Sequence, residues 1–69
     1  MSIPIAIYLK KLETGYGLGL RDLRNGQDHL VTSRPIDKIT KAYVMLDQLE
    51  DRLGKIDKYE LVYKMPDVM

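Results

Sequence analysis

The spacing of apolar residues changes twice along this chain of 69 residues. Ile3, Ile5, Ile7 and Leu9 alternate with Pro4, Ala6, Tyr8 and Lys10, a period of two that belongs to a β-strand over residues 3–12. Glu13-Thr14-Gly15 reads as a turn. From Tyr16 to Arg24 the alternation resumes, with Tyr16, Leu18 and Leu20 on one side and Gly17, Gly19, Arg21 and Leu23 on the other, so the two runs form a hairpin. Two glycines on one side of a strand leave a shallow groove over that face or let another backbone or an aromatic ring come close. Asn25-Gly26 is a second turn signal, and Leu30-Val31 beyond it can make a short third strand. Between Ile36 and Leu53 the period lengthens to that of a helix, with Ile36, Ile39, Ala42, Tyr43, Leu46, Leu49 and Leu53 on one face. Ser33 or Asp37 can cap it, Pro35 suits its first turn, and Gly54 offers a left-handed stop. The period of two returns from Lys55 to Met65, and Pro66 ends that strand by removing a ladder donor.

These elements predict one domain over residues 1–69 with the order β-β-(β)-α-β. The fold class is α+β, two-layer: an antiparallel sheet of three or four strands with one helix on one face. Alternation alone does not say which face the helix covers, and a one-residue slip in register would exchange the two sets of side chains.

A chain this short buries only about 60% of its unfolded surface. With no cysteine it has no disulfides to add, and thiolate zinc and iron-sulfur sites are excluded. One histidine excludes multi-histidine metal sites, and no cofactor is implied. Eleven Lys and Arg against ten Asp and Glu give a net charge of +1, far from the excess of a protein held to nucleic acid mainly by phosphates. The apolar run Ile3 to Leu9 is much shorter than the roughly 20 residues that span a bilayer, and Met-Ser-Ile-Pro is not the start of a signal peptide. A cytoplasmic, membrane-free protein is expected. A single helix leaves one side of the sheet open, so a homodimer or a stable protein partner is expected to cover it.

The candidate partner interface comprises Tyr8, Leu12, Tyr16, Leu18 and Leu20, with Arg21 and Arg24 at its rim, because tyrosine and arginine are favoured at interface hot spots. An alternative is a nucleic-acid surface built on Arg21, Arg24 and Arg34. Tyr59 and Tyr63, flanked by Lys55, Lys58 and Lys64, could stack on bases, but their continuous apolar face with Leu61 and Met65 fits packing against the helix. His29 lies near Asp22 and Asp28, as a general base oriented by a carboxylate would, yet its polar surroundings fit an exposed turn. Gly15, Gly17 and Gly19 lack the lysine and the following helix of a phosphate loop. Asp47, Glu50 and Asp51 form the one acidic cluster, which could dock a basic partner. No catalytic residue is assigned, and a non-enzymatic protein is expected.

The stretches Ile3-Pro4-Ile5-Ala6-Ile7, Gly15-Tyr16-Gly17 and Leu20-Arg21-Asp22-Leu23-Arg24-Asn25-Gly26, followed by a helix, resemble the N-terminal domain of HicB-type antitoxins. In that family the second strand runs into a Pro-Asp-Leu-Pro-Gly segment. Asp22, Leu23 and Gly26 match it, while Arg21 and Arg24 stand where the prolines would be and one extra residue intervenes. The resemblance covers residues 3–65. It implies a partial ribonuclease-H-like fold and a binding role, in which the domain dimerises and occludes a small toxic ribonuclease; a phage-type decoy is the related reading. It does not imply nuclease activity, because that chemistry needs converging carboxylates on the strands, and the first strand has none.

Overall fold

The computed structural model describes residues 2–68 and the side chains of residues 2–65. Four strands and one helix follow in the order β1 (Ile3–Leu12), β2 (Gly15–Asp22), β3 (Gln27–Leu30), α1 (Ile39–Gly54) and β4 (Tyr59–Val68). They form a single sheet, ordered β3-β2-β1-β4, with α1 packed on one face, which is the two-layer α+β arrangement with its third strand formed. The helix has 16 residues, and no helix among the described residues is long and apolar enough to cross a membrane.

The sheet is mixed, where an antiparallel one was expected. β1, β2 and β3 form an antiparallel meander, but β4 pairs parallel to β1. The element count explains this. Three antiparallel strands leave the chain at the end of the sheet opposite the one where β1 began. A single helix then returns it to that starting end, so a fourth strand laid beside β1 has to run the same way.

The isoleucine row faces the helix. Ile5, Ile7 and Leu9 of β1 are completely buried and pack with Leu18 of β2 and with Ala42, Leu46 and Leu53 of α1, while Tyr16, Leu20, Met45, Leu49, Tyr59 and Leu61 close the margins. Each fully buried isoleucine or leucine here contributes about 1.5–3 kcal/mol. Tyr43, assigned to the buried face by its spacing, is exposed, as is Val44.

Both helix ends differ from the sequence expectation. Ile36 forms an isolated bridge with Tyr16, donating to its carbonyl at 2.7 Å and accepting from its N–H at 2.8 Å. With its backbone committed to this β-type pairing, Ile36 cannot begin a helix. Pro35 therefore lies outside α1, and Lys38 takes the N-cap position with no side-chain cap from Ser33 or Asp37. At the other end Gly54 is the last helical residue and has no positive φ. The helix closes instead by tightening, with Lys55 N–H donating to Arg52 and Ile56 N–H to Leu53 across three residues.

Gly15 is what allows the bridge to Ile36. Its φ is +153°, and a Cβ there would lie 2.4 Å from the Ile36 carbonyl oxygen, closer than any side chain permits. Pro4 sits at the second position of β1, as its missing donor requires, and its carbonyl accepts the Leu23 N–H at 3.0 Å.

β4 starts at Tyr59 rather than Lys55 and continues past Pro66 to Val68. Its register against β1 slips twice. Ile5 pairs with Leu61 and Ala6 with Tyr63, so Val62 is left unmatched; later, Tyr8 pairs with Met65 and Leu9 with Val68, so the second slip spans Pro66, which has no N–H to give.

Candidate interaction surface

The slip at Val62 decides which side chains share the sheet face that α1 leaves uncovered. Before it, Tyr59 and Leu61 lie opposite Ile3 and Ile5 on the helix side. After it, Tyr63 and Met65 lie opposite Ala6 and Tyr8, on the open side, and Lys64 comes opposite Ile7 on the helix side. The slip thus moves two apolar residues out of the expected core row and turns a lysine toward the helix. Lys64 Nζ donates to Asp47 at 2.9 Å and to Glu50 at 3.0 Å, tying β4 to α1. These two carboxylates hold the lysine above its ordinary pKa. Two of the three residues in the acidic cluster are therefore engaged within the chain.

At the centre of the open face lies Tyr8. Its cross-strand neighbour is Gly19, and the phenol ring occupies the space a side chain there would fill. The close approach expected over the paired glycines is thus made by the chain's own aromatic ring. The Arg21 guanidinium sits over that ring, 5.6 Å from its centroid, and forms a two-pronged pair with Asp28 of β3, with Nε 2.8 Å from Oδ1 and Nη2 3.3 Å from Oδ2. Ala6, flanked in register by Arg21 and Tyr63, is fully buried, and Tyr8 is only 4% exposed. Burial, and then the nearby Asp28 carboxylate, push the Tyr8 phenol above its ordinary pKa. The Arg21 hydrogen bond holds Asp28 below the usual carboxylate range. Around this centre stand Tyr63, 43% exposed, and Leu30, 54% exposed, with Leu12 beside Leu30 over Gly17.

The structure therefore divides the residues expected at the interface. Tyr8, Leu12 and Arg21 meet on the open face, with Arg21 at its centre rather than its rim. Tyr16, Leu18 and Leu20 lie on the helix side, opposite Lys11, Leu9 and Ile7, and Leu18 belongs to the core. Arg24 lies in the turn after β2, where its guanidinium bonds both oxygens of Asp22 at 3.1 and 2.8 Å. The open-face residues missed by the sequence are Asp28, Leu30, Tyr63 and Met65. A signal existed for Leu30, which alternates with His29, but none for the other side of β4, because a bulge leaves no mark in an apolar alternation.

The arginines of the nucleic-acid alternative are dispersed. Arg21 and Arg24 are each neutralised by a carboxylate, and Arg34 lines a groove against α1 on the other side of the sheet. His29 is exposed on β3, where it pairs with Leu20, and strand alternation puts its neighbour Asp28 on the opposite face. No protein-family model matches the chain, and neither the curated proteins nor the solved structures give a match.

Proposed function

We propose that this chain is a non-enzymatic protein–protein interaction module of the cytoplasm that self-associates through the open sheet face and uses it to regulate or inhibit a protein partner. The observation that carries this reading is the composition of that face: a tyrosine and an arginine packed beside a buried alanine, rimmed by exposed Leu30 and a second tyrosine, Tyr63. Tyrosine and arginine held in place by their neighbours lose little conformational freedom on docking, which is why they dominate interface energetics. The inhibitory part of the proposal rests on the resemblance to HicB-type antitoxin domains.

The size of the face sets the expected strength. Four strands about 4.8 Å apart and about eight residues long offer a face of roughly 500 Å². Two such faces stacked bury about 1,000 Å², the lower bound for a specific interface, so self-association should be weak and concentration-dependent.

Sedimentation velocity from about 5 μM to about 0.5 mM tests this, because a weak dimer falls apart within that range. A dimer that persists in high salt and disappears in Tyr63→Glu and Leu30→Glu, both with unchanged circular dichroism, supports the reading. A monomer at every concentration, or a dimer indifferent to both substitutions, refutes self-association through this face. Steep loss of any binding with added salt would instead favour phosphate recognition.

A further inference from the structure

On the helix side of the sheet, away from the open face, a groove of about 380 Å³ runs between α1 and the segment 31–34. Leu18, Val31, Met45 and Leu49 give it aliphatic walls, and Arg34 and Arg52 stand on its opposite sides. The groove exists because α1 lies over β4, β1 and β2 and does not reach β3. The chain after β3 therefore crosses beside the helix with a gap between them. Met45, Leu49 and Arg52 succeed one another at helical spacing along one stripe, so the helix wall is continuous.

The charge of this groove is one-sided. None of its lining residues is acidic, and neither Arg34 nor Arg52 joins an ion pair among the described residues, whereas Arg21 and Arg24 both do. An aliphatic trough between two uncommitted guanidiniums complements a ligand with an apolar centre and a carboxylate on each side. Its length is suited to a peptide. From Met45 to Arg52 the helix rises about 10 Å, the span of three extended residues. No aromatic side chain lines it, so it lacks the stacking platform that single-stranded nucleic acid would use.

We propose that this groove is a second docking site, which takes a short segment of a partner protein carrying one aliphatic or aromatic side chain between acidic residues. The site is independent of self-association through the open face.

Fluorescence polarisation with the labelled peptides Gly-Glu-Leu-Glu-Gly and Gly-Glu-Phe-Glu-Gly tests it, with Gly-Lys-Leu-Lys-Gly and Gly-Glu-Ser-Glu-Gly as controls. At least one acidic apolar peptide should bind about tenfold or more tighter than both controls. The charge reversal Arg34→Glu with Arg52→Glu, in a chain whose circular dichroism is unchanged, should remove that preference and favour the lysine peptide. Amide resonances of residues 31–34 and 45–52 should shift on titration, and Tyr63→Glu should bind like the parent chain, which separates this site from the open face.

The proposal is overturned if neither acidic apolar peptide binds up to about 1 mM, or if the controls bind equally. Charge reversal without effect, or shifts centred on Leu30 and Tyr63, overturns it too. So does oligothymidine, or a second copy of the chain, binding in preference to the peptides with the same arginine dependence.

Discussion

Gly19→Ala examines the packing of the open face most directly, because the cost should depend on one other residue. A Cβ at position 19 would lie 2.2 Å from Tyr8 Cζ, 2.4 Å from Cε2 and 2.6 Å from the hydroxyl oxygen. Carbon atoms rest at about 3.5–4.0 Å, so the ring has to retreat by about 1.5 Å. Tyr8 is nearly buried and has Arg21 over its ring, so the retreat must disturb its neighbours. Overpacking of this kind costs about 1–3 kcal/mol. Against it stands the gain of about 0.5–1 kcal/mol that alanine brings over glycine in a strand of compatible backbone conformation. The net expectation is destabilisation by about 1–2 kcal/mol, which at a slope near 1 kcal/mol/M moves the urea midpoint down by about 1–2 M. In a Tyr8→Val background the ring atoms are gone and only the backbone gain remains, so the same change should raise the midpoint. Urea titrations of the four proteins of this double-mutant cycle, followed by far-ultraviolet circular dichroism, give the coupling. Gly17→Ala is the internal comparison. Its Cβ would meet only the flexible ends of Leu30 and Leu12, at 3.0 and 3.1 Å, and Thr32 Oγ1 at 3.3 Å, so its penalty should be smaller. If Gly19→Ala shifts the midpoint by the same amount and sign in the parent chain and in the Tyr8→Val background, the ring does not lie over Gly19 and the packing assigned to this face is wrong.

The remaining expectations concern charge and the core. Asp28 and Asp22 have folded-state pKa values held below the ordinary carboxylate value of 3.8 by Arg21 and Arg24, so they stabilise the fold above that pH. This contribution should be lost as pH falls below it, and Asp28→Asn should flatten the acid limb of the stability profile. Tyr8 has a pKa raised above 10.0, so its contribution is complete below that pH and is lost as pH rises through the higher folded value. Alkaline titration followed by tyrosinate absorbance should show a late phase, and Tyr8→Phe should abolish it. Lys64→Glu puts like charge beside Asp47 and Glu50 and should lower the melting temperature, with partial recovery in 1 M salt, where screening acts over about 3 Å. Leu46→Ala removes a fully buried core side chain and should cost about 2–5 kcal/mol, enough to unfold a domain of this size; retention of a sharp thermal transition at the parent temperature would contradict the core assignment.

What the sequence revealed and what it concealed have the same origin in periodicity. Ile3 to Leu9 specified a strand with a buried row, and Tyr16 to Leu20 specified its partner, because alternation is local and turn chemistry fixed the hairpin register. The register then placed Leu18 opposite Leu9 and Gly19 opposite Tyr8, so the expected interface set of Tyr8 and Leu18 combined two faces. Parity alone could have separated them: with Leu12 facing Gly15 across a two-residue turn, the paired positions sum to 27, and Tyr8 can only face Gly19. The error at β4 has no such remedy. Tyr59, Leu61, Tyr63 and Met65 alternate without interruption, and nothing local marks Val62 as the residue that drops out of register. The slip goes together with a contact to the helix. Without it, Lys64 would face the open side, away from Asp47 and Glu50, and Tyr63 would compete for space that Ile5, Ile7 and Leu46 already fill. One exposed valine out of register satisfies a lysine with two carboxylates and releases two apolar side chains to the opposite face. The register that puts Tyr63 and Met65 on the open face is thus tied to a contact between β4 and α1, 14 to 17 residues apart in sequence, which a reading of either segment alone does not contain.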